Sequence, residues 1–161
     1  MNQARVAVIT RTKNRAILLK RAVRSVLDQG YEDWTHVIVN DGGDAEEVRR
    51  VLAPSLDEYK GRVTVIDNPA SVGMEAASNI GIRACSSEFI VIHDDDDSWE
   101  PGFLERCVEF MDSTSKPRLD CEYGGVVTHS LRIIEELDGQ EVRQVASEPF
   151  NEWMTSVSLY R

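Results

Sequence analysis

Short apolar segments rich in β-branched residues alternate with helical segments over the first two thirds of this chain, and that alternation restricts the fold. The strand-like segments cover residues 5–10, 35–40, 62–67 and 88–93. The helical segments, marked by apolar residues at helical spacing or by capping residues, cover residues 17–29, 44–52, 73–84 and 101–111. This β-α-β-α-β-α-β-α order predicts an α/β fold with a mostly parallel sheet and helices on both faces.

After Asp112 the pattern changes to that of a β-hairpin. Its two strand-like segments cover residues 126–137 and 140–146. Between them stands Asp138-Gly139, a sequence typical of two-residue hairpin turns. We therefore expect an α/β core over residues 1–112 and the beginning of a second region over residues 113–161. The last residues are rich in apolar side chains without a partner downstream, so we expect the chain to end inside a structural unit and to favour a homodimer.

Charge and cysteine content narrow the classes of function. The 161 residues carry a formal net charge of −10, which argues against nucleic-acid binding. Residues 1–30 nevertheless hold seven Lys or Arg and a single acidic residue, which suits an anionic ligand or surface, or simply solubility. The three cysteines share no CxxC spacing, so we expect neither disulfides nor a zinc site, and a cytoplasmic protein. No apolar run approaches the roughly 18 residues of a membrane span.

Four consecutive aspartates, Asp94 to Asp97, follow directly on an apolar segment that predicts a buried strand. Like charges this close disfavour each other's ionisation, so we expect a cation beside them. Mg²⁺ and Mn²⁺ prefer oxygen ligands, and Mg²⁺ is commonly held by one or two carboxylates plus substrate phosphates. The tetrad therefore predicts a metal-assisted phosphate-ester or nucleotide site at the carboxyl edge of the sheet. The alternative is a solvated acidic turn, the usual state of a charge run.

Four motifs, in order and each at the end of a predicted strand, resemble those of the family 2 glycosyltransferases. They are a strand running into a polar loop (residues 8–15), an acidic turn (residues 39–43), a G-x-x-x-A-x-N-x-G helix (residues 73–81) and D-x-D-D-x-W-x-P (residues 94–101). The resemblance implies a GT-A fold, a Rossmann-like three-layer sandwich with a mostly parallel sheet, here with a C-terminal β-hairpin. It also implies a metal-dependent, inverting glycosyltransferase with a nucleotide-diphosphate sugar, of UDP or dTDP type, as donor.

The resemblance implies roles for the acidic tetrad. Asp96 would contact a divalent metal, Mn²⁺ or Mg²⁺. Asp94 and Asp95 would bind ribose hydroxyls or waters on the metal, since carboxylates accept hydrogen bonds from hydroxyl donors. Asp97 would orient the loop or the acceptor, or would simply be a solvated acid beside a helix. We expect Trp99 to pack beneath the acidic loop.

Further nucleotide contacts come from the other three motifs. Asp41 resembles the residue that accepts a hydrogen bond from an imide N–H of uracil or thymine, and its alternative role is to support the turn at Gly42. The remaining candidates for nucleotide binding are Thr10, Arg15 and Asn79. Arg11 and Lys13 are expected to stay solvated.

Two positions depart from the family pattern, and one function has no visible residue. Ser78 stands where the family often has an arginine, and Asn40 where it often has a second aspartate. Family members carry a catalytic base on a later acidic motif, and no equivalent is evident here. Glu148 and Glu152 are acidic but stand in a different context. The chain thus resembles the nucleotide-sugar half of such an enzyme, whose acceptor is a saccharide or a lipid-linked saccharide at the inner face of the membrane.

Two other classes of function stay open. A nucleotidyltransferase has a similar sheet topology but needs a glycine-rich phosphate loop after the first strand, and residues 10–15 are basic without glycine. A binding module without catalysis is the second alternative, because the catalytic base is missing from the sequence.

Overall fold

The computed structural model describes residues 4–114, 124–128, 130–138 and 141–149. The chain divides into two compact units, Met1–Glu105 and Arg106–Arg161. This division falls inside the helix Phe103–Thr114, and the boundary after residue 112 stays a prediction.

The first unit is built on a parallel four-stranded sheet, as the alternating sequence pattern predicts. Its strands are β1 (Val6–Thr12), β2 (Trp34–Asp41), β3 (Val63–Asn68) and β4 (Phe89–Asp94). Their order is β3-β2-β1-β4, and every neighbouring pair is parallel. The carboxyl ends of β1, β2 and β4 therefore share one edge, where three of the four motifs lie.

The predicted helices are present with shifted ends. They are α1 (Ala16–Leu27), α2 (Ala45–Leu52), α4 (Met74–Arg83) and α5 (Phe103–Thr114). Asp44 caps α2 as predicted, because its side chain accepts a hydrogen bond from the Glu46 N–H at 2.8 Å. A 3₁₀ turn (Ala53–Ser55) and a single helical turn, α3 (Leu56–Tyr59), follow α2 and were not predicted.

Helix α4 packs closely on one face of the sheet because its residues are small. Ala77 belongs to a buried cluster that includes Ile9 and Val39. A Cβ added at Gly81 would lie 2.5 Å from Ile9 Cγ2 and 3.2 Å from Val39 Cγ2. A larger residue at position 81 would therefore push the helix off the sheet.

The opposite face carries the buried ring of Tyr59 from α3. Tyr59 lies edge-on to Trp34, with ring centroids 6.0 Å apart, and its hydroxyl is 2.8 Å from His36 Nδ1. Helix α1 contacts β1 and α2 and buries an apolar stripe. With α4 on one face and α1 to α3 on the other, the core has three layers.

The expectation of a buried fourth strand was wrong. β4 pairs with β1 alone among the described strands and forms the edge of the sheet. Ile90 is 46% exposed and Ile92 39%, whereas His93 is fully buried. A continuous apolar run cannot distinguish a central strand from an edge strand, because burial depends on which neighbours pair with it.

The second unit contains the predicted antiparallel hairpin. Its strands are β5 (Leu131–Asp138) and β6 (Glu141–Pro149). β5 begins later than predicted, and the pairing register shifts between Ile134 and Glu135. Gly139 of the predicted turn lies outside the described residues, as do Glu152 and the apolar residues near the C-terminus.

Candidate functional site

The acidic tetrad lies where the sequence predicts, at the carboxyl end of β4. Asp94 is the last residue of the strand and is paired in register with Arg11 of β1. The backbone then turns, and the Asp97 N–H donates to the Asp94 carbonyl at 3.0 Å. Asp95 points inward and is 3% exposed, whereas the Asp96 side chain is 48% exposed. The turn thus places the buried carboxylate of Asp95 beside the accessible carboxylate of Asp96.

Arginines from β1, α1 and the loop between them surround this turn. Arg11 makes an ion pair with Asp94. Arg15 places one guanidinium nitrogen 2.8 Å from Asp95 Oδ1 and the other 2.8 Å from Asp96 Oδ2. Arg21 donates to the Asp96 carbonyl at 2.6 Å. The basic N-terminal segment and the tetrad are therefore two halves of one site.

Arg11 is not solvated, contrary to expectation. Its side chain is only 15% exposed and also donates to Ser78 Oγ on α4 at 3.0 Å. Ser78 is buried and in turn donates to the Met74 carbonyl at 2.9 Å. Arg11 therefore ties α4 to the first aspartate of the tetrad. These contacts join residues far apart in the sequence, so local pattern gave no sign of them.

Burial raises the pKa of two carboxyl groups in this turn, although arginines lie beside them. Burial raises the pKa of Asp95, against the opposing influence of Thr12 and Arg15. Asp95 Oδ2 is buried and has no hydrogen-bond partner within the structure's described residues. The pKa of Asp97 is also raised, first by burial and then by the negative charge of Asp96. The like-charge repulsion inferred from the sequence is therefore present but partly offset.

The residues at this turn fit a divalent cation that is shared with a ligand. Within the described part of the chain, no group of three or more His, Cys, Asp or Glu residues forms a metal cage. An accessible carboxylate on Asp96 and an unsatisfied carboxylate oxygen on Asp95 suit instead a hard cation that takes its other ligands from phosphates and water.

Thr10 lies inside the sheet and not at its surface. It is fully buried, and its hydroxyl lies 2.8 Å from His36 Nε2 and 3.3 Å from His93 Nδ1. Burial lowers the pKa of His36 to about 3 and that of His93 to about 4, so both rings are neutral at pH 7. The hydroxyl of Thr10 is thus occupied by the two histidines, and its contact with a nucleotide stays a prediction.

Asp41, at the end of β2, holds the loop between β3 and α4. Its carboxylate accepts four hydrogen bonds, two on each oxygen: from Asn68 Nδ2 (2.9 Å), Ser71 Oγ (2.6 Å), the Val72 N–H (2.9 Å) and the Gly73 N–H (3.1 Å). These donors outweigh the opposing effect of burial and lower the pKa of Asp41 to about 2. A carboxylate offers about four acceptor positions, so these contacts occupy it fully. Sequence patterns did not indicate this loop contact.

The turn after Asp41 is fixed by two asparagines. Asn40 is fully buried, accepts from the Gly43 N–H at 3.0 Å and donates to Asp67 Oδ1 at 2.9 Å. Asn14, in the loop after β1, accepts from the Asp44 N–H at 2.8 Å. The loops after β1 and β2 are therefore joined, and Asn40 substitutes for a second aspartate without loss of the turn.

The other residues named from sequence have contrasting positions. Asn79 is exposed on α4. Trp99 packs between His93 and Phe103, at centroid distances of 4.2 and 4.5 Å, as expected for a residue beneath the acidic loop. Glu148 is exposed on β6 and pairs with Arg132 at 3.1 Å.

The family model described as glycosyl transferase family 2 matches residues 7–140. The chain belongs to this family. Its match begins in β1 and includes every motif that we named, so the family predicted from the sequence is confirmed.

Relatives of this family 2 chain include WcaA of Escherichia coli K12, named for glycosyl transfer in colanic acid biosynthesis. It is 34% identical over 103 residues, which are 64% of this chain and 36% of that protein. GalNAc(5)-diNAcBac-PP-undecaprenol beta-1,3-glucosyltransferase of Campylobacter jejuni is 28% identical, over 65% of this chain and 34% of its own length. The chain thus spans about a third of the length of these curated relatives.

Solved structures confirm the predicted GT-A fold. The mannosyltransferase PcManGT of Pyrobaculum calidifontis, solved with GDP-Man and Mn²⁺, superposes with a TM-score of 0.60 at 25% identity, over 69% of this chain and 33% of that chain. Residues 1–349 of TarS from S. aureus superpose with the same TM-score at 19% identity, over 68% of this chain and 33% of that chain. No helix within the described residues is long and apolar enough to cross a membrane.

Proposed function

We propose that this chain binds the donor of a metal-dependent, inverting glycosyltransferase, which moves a sugar from a nucleotide diphosphate to a saccharide or lipid-linked acceptor. One observation carries the proposal: the tetrad and its arginines lie together at the carboxyl edge of a parallel sheet, where ligands of open α/β folds bind. Family membership supports it. The undecaprenol-linked substrate in the name of the C. jejuni relative supports a lipid-linked acceptor, and with it a location at the inner face of the membrane.

We assign the metal contact to Asp96, whose side chain is 48% exposed and whose family motif position is that of the metal ligand; Asp94, 44% exposed, is paired with the half-buried Arg11. A bound Mn²⁺ or Mg²⁺ would act as a Lewis acid toward the negative charge that develops on the diphosphate leaving group. Asp94 and Asp95 are assigned to ribose hydroxyls or metal-bound water. The Mn²⁺ complex of PcManGT supports a divalent metal for this fold.

The nucleotide contacts are proposed from the loops at the same edge. Arg15 would bind the phosphates, and Asn79 lies exposed on α4, whose amino end faces the loop held by Asp41. Asp41 supports the pocket through that loop, and its contact with a uracil or thymine base is proposed as a second role. Thr10 is buried, so it would influence the nucleotide indirectly, through its contact with His93.

The test is calorimetric titration of the protein with UDP, dTDP and GDP, with and without Mn²⁺. We expect metal-dependent binding of at least one nucleotide. Asp96→Asn is expected to abolish the metal-dependent part, whereas Asp97→Asn weakens it less, because Asp97 is not assigned to the metal. Asp96→Asn that binds nucleotide and Mn²⁺ as tightly as the parent would show that the metal assignment is wrong.

The same titration, extended to UTP, GTP and Ca²⁺, separates the alternatives. A nucleotidyltransferase would bind nucleoside triphosphates in preference to the diphosphates, using a phosphate loop that residues 10–15 do not provide. A module that binds only a cation would take up Mn²⁺ or Ca²⁺ and no nucleotide.

A further inference from the structure

Arg15 bridges the two adjacent carboxylates at the centre of the site. Its two terminal nitrogens contact different residues, Asp95 and Asp96, each at 2.8 Å. One guanidinium thus contacts both carboxylates, offsets part of their combined negative charge and fixes the turn. Asp96 Oδ2, the atom that receives one of these bonds, belongs to the carboxylate that we assign to the metal.

We propose that Arg15 is an exchangeable counter-cation: it holds the acidic turn when no divalent cation is bound and moves to the donor diphosphate when one is. This inference rests on the proposed function. Its first reason is competition, because a guanidinium bonded to Asp96 repels a divalent cation that binds the same carboxylate.

Exposure distinguishes Arg15 from the arginine beside it. The side chains of Arg15 and Asp96 are 45% and 48% exposed, so the bond between them lies at the surface and can open, whereas the second bond of Arg15 goes to the buried Asp95. Arg11 is 15% exposed and bonded to both Asp94 and Ser78, and is expected to stay in place. The geometry therefore gives the two arginines different tasks: Arg11 fixes the loop, and Arg15 changes partner.

The backbone of Arg15 stays fixed while its side chain moves. Arg15 is the N-cap of α1, and its carbonyl accepts from the Leu19 N–H at 2.9 Å. The Arg15 side chain itself makes no capping hydrogen bond to α1. A guanidinium released from Asp96 therefore remains beside the positive end of a helix, and its planar fork matches two phosphate oxygens.

The exchange has a consequence for binding equilibria. Arg15 opposes a divalent cation that arrives alone, since its own bonds must break first. A diphosphate that accepts the released guanidinium removes this penalty, so cation and nucleotide each raise the affinity for the other. In a site without such an arginine, cation and nucleotide would raise each other's affinity by a smaller factor.

The test compares the parent, Arg15→Gln and the control Arg24→Gln. Arg24 lies on the same helix, is 50% exposed and also bridges two carboxylates, Asp28 and Glu58, away from the tetrad. Binding of Mn²⁺ alone is measured by electron paramagnetic resonance of the free ion. Binding of UDP and GDP, with and without saturating Mn²⁺, is measured by calorimetry, and circular dichroism verifies the fold.

We expect Arg15→Gln to bind Mn²⁺ alone several-fold more tightly than the parent, and nucleotide in saturating Mn²⁺ about tenfold more weakly. Arg24→Gln should match the parent in both. If the parent binds nucleotide but folded Arg15→Gln binds Mn²⁺ no more tightly than the parent, the exchange is overturned and the proposed function is not. A parent that binds no nucleotide at any Mn²⁺ concentration overturns the proposed function, and the exchange with it.

Discussion

At the scale of single residues, Asp41 shows how much one carboxylate can organise. It ends β2, yet its four hydrogen bonds all go to residues 68–73, about thirty positions along the chain. Two of the donors are backbone N–H groups, and Gly73 N-caps α4. An uncharged residue at position 41 could not accept four bonds, so the start of α4 depends on the charge of Asp41.

The lowered pKa of Asp41 predicts a specific dependence of stability on pH. The folded-state pKa is about 2 and the ordinary value 3.8, so the ionised carboxylate stabilises the fold above about pH 4 and loses this effect as the pH falls toward 2. We expect Asp41→Asn to lower the free energy of unfolding by on the order of 2 kcal/mol at pH 7, and by progressively less below pH 4.

Urea denaturation of Asp41→Asn and the parent between pH 2 and pH 7 measures this difference. Asp57→Asn is the control, because Asp57 is an exposed aspartate on α3. A difference between Asp41→Asn and the parent that is the same at pH 3 and pH 7 would contradict the assigned role of the charge.

At the scale of elements, α4 packs closely on the sheet. The small-residue motif predicted a tightly packed helix, and Gly81 shows the reason, since a methyl group there would collide with Ile9. We expect Gly81→Ala to destabilise the protein by about 1–3 kcal/mol, despite the better helix propensity of alanine.

Thermal or urea unfolding of Gly81→Ala tests this packing. Gly30→Ala is the matched control, because a Cβ at position 30 would meet only the Pro101 carbonyl oxygen, at 3.8 Å. Equal stabilities of the two variants would mean that α4 can move away from Ile9 at little cost.

The helices and strands that were predicted correctly are those defined by local sequence signals. Periodic apolar positions and capping residues act over a few residues, so the strands and longer helices were found with errors at their ends. The edge position of β4, the short helix α3 and the bonds of Arg11 and Arg15 depend on residues that approach only after folding. Sequence pattern located the tetrad for this reason, but not the guanidinium groups that balance its charge.

At the scale of the whole molecule, we expect nucleotide binding and sugar transfer to depend on different residues. The described residues bring the tetrad and its arginines together at the edge of the sheet where we propose that the donor binds. The sequence has no evident acidic motif for a general base, a role worth roughly 10²–10⁴ in rate. Glu148 is paired with Arg132 on the hairpin. We therefore expect the 161-residue chain to bind nucleotide and to transfer sugar very slowly or not at all.

Assays with a nucleotide-diphosphate sugar, Mn²⁺ and an added saccharide acceptor measure transfer, and the same assays without acceptor measure hydrolysis. Transfer well above hydrolysis by the purified chain would mean that residues 1–161 contain a base. Glu148→Gln and Glu152→Gln would then identify it, with the Arg132-paired position tested first.

The buried side chains of Tyr59, His36, Thr10 and His93 form a hydrogen-bonded row. The contacts taken one by one do not define the direction in which this row donates its protons. Each neutral imidazole carries one proton on two nitrogens, so a hydrogen-bonded row of this kind has two self-consistent proton arrangements, one the reverse of the other. In the first, Tyr59 donates to His36 and His93 ends the row with an N–H at Nε2. In the second, every donor becomes an acceptor and His93 ends it with a lone pair. The tautomer of His93, beside the acidic turn, is thereby coupled to a tyrosine that contacts β2, two strands away on the same face of the sheet.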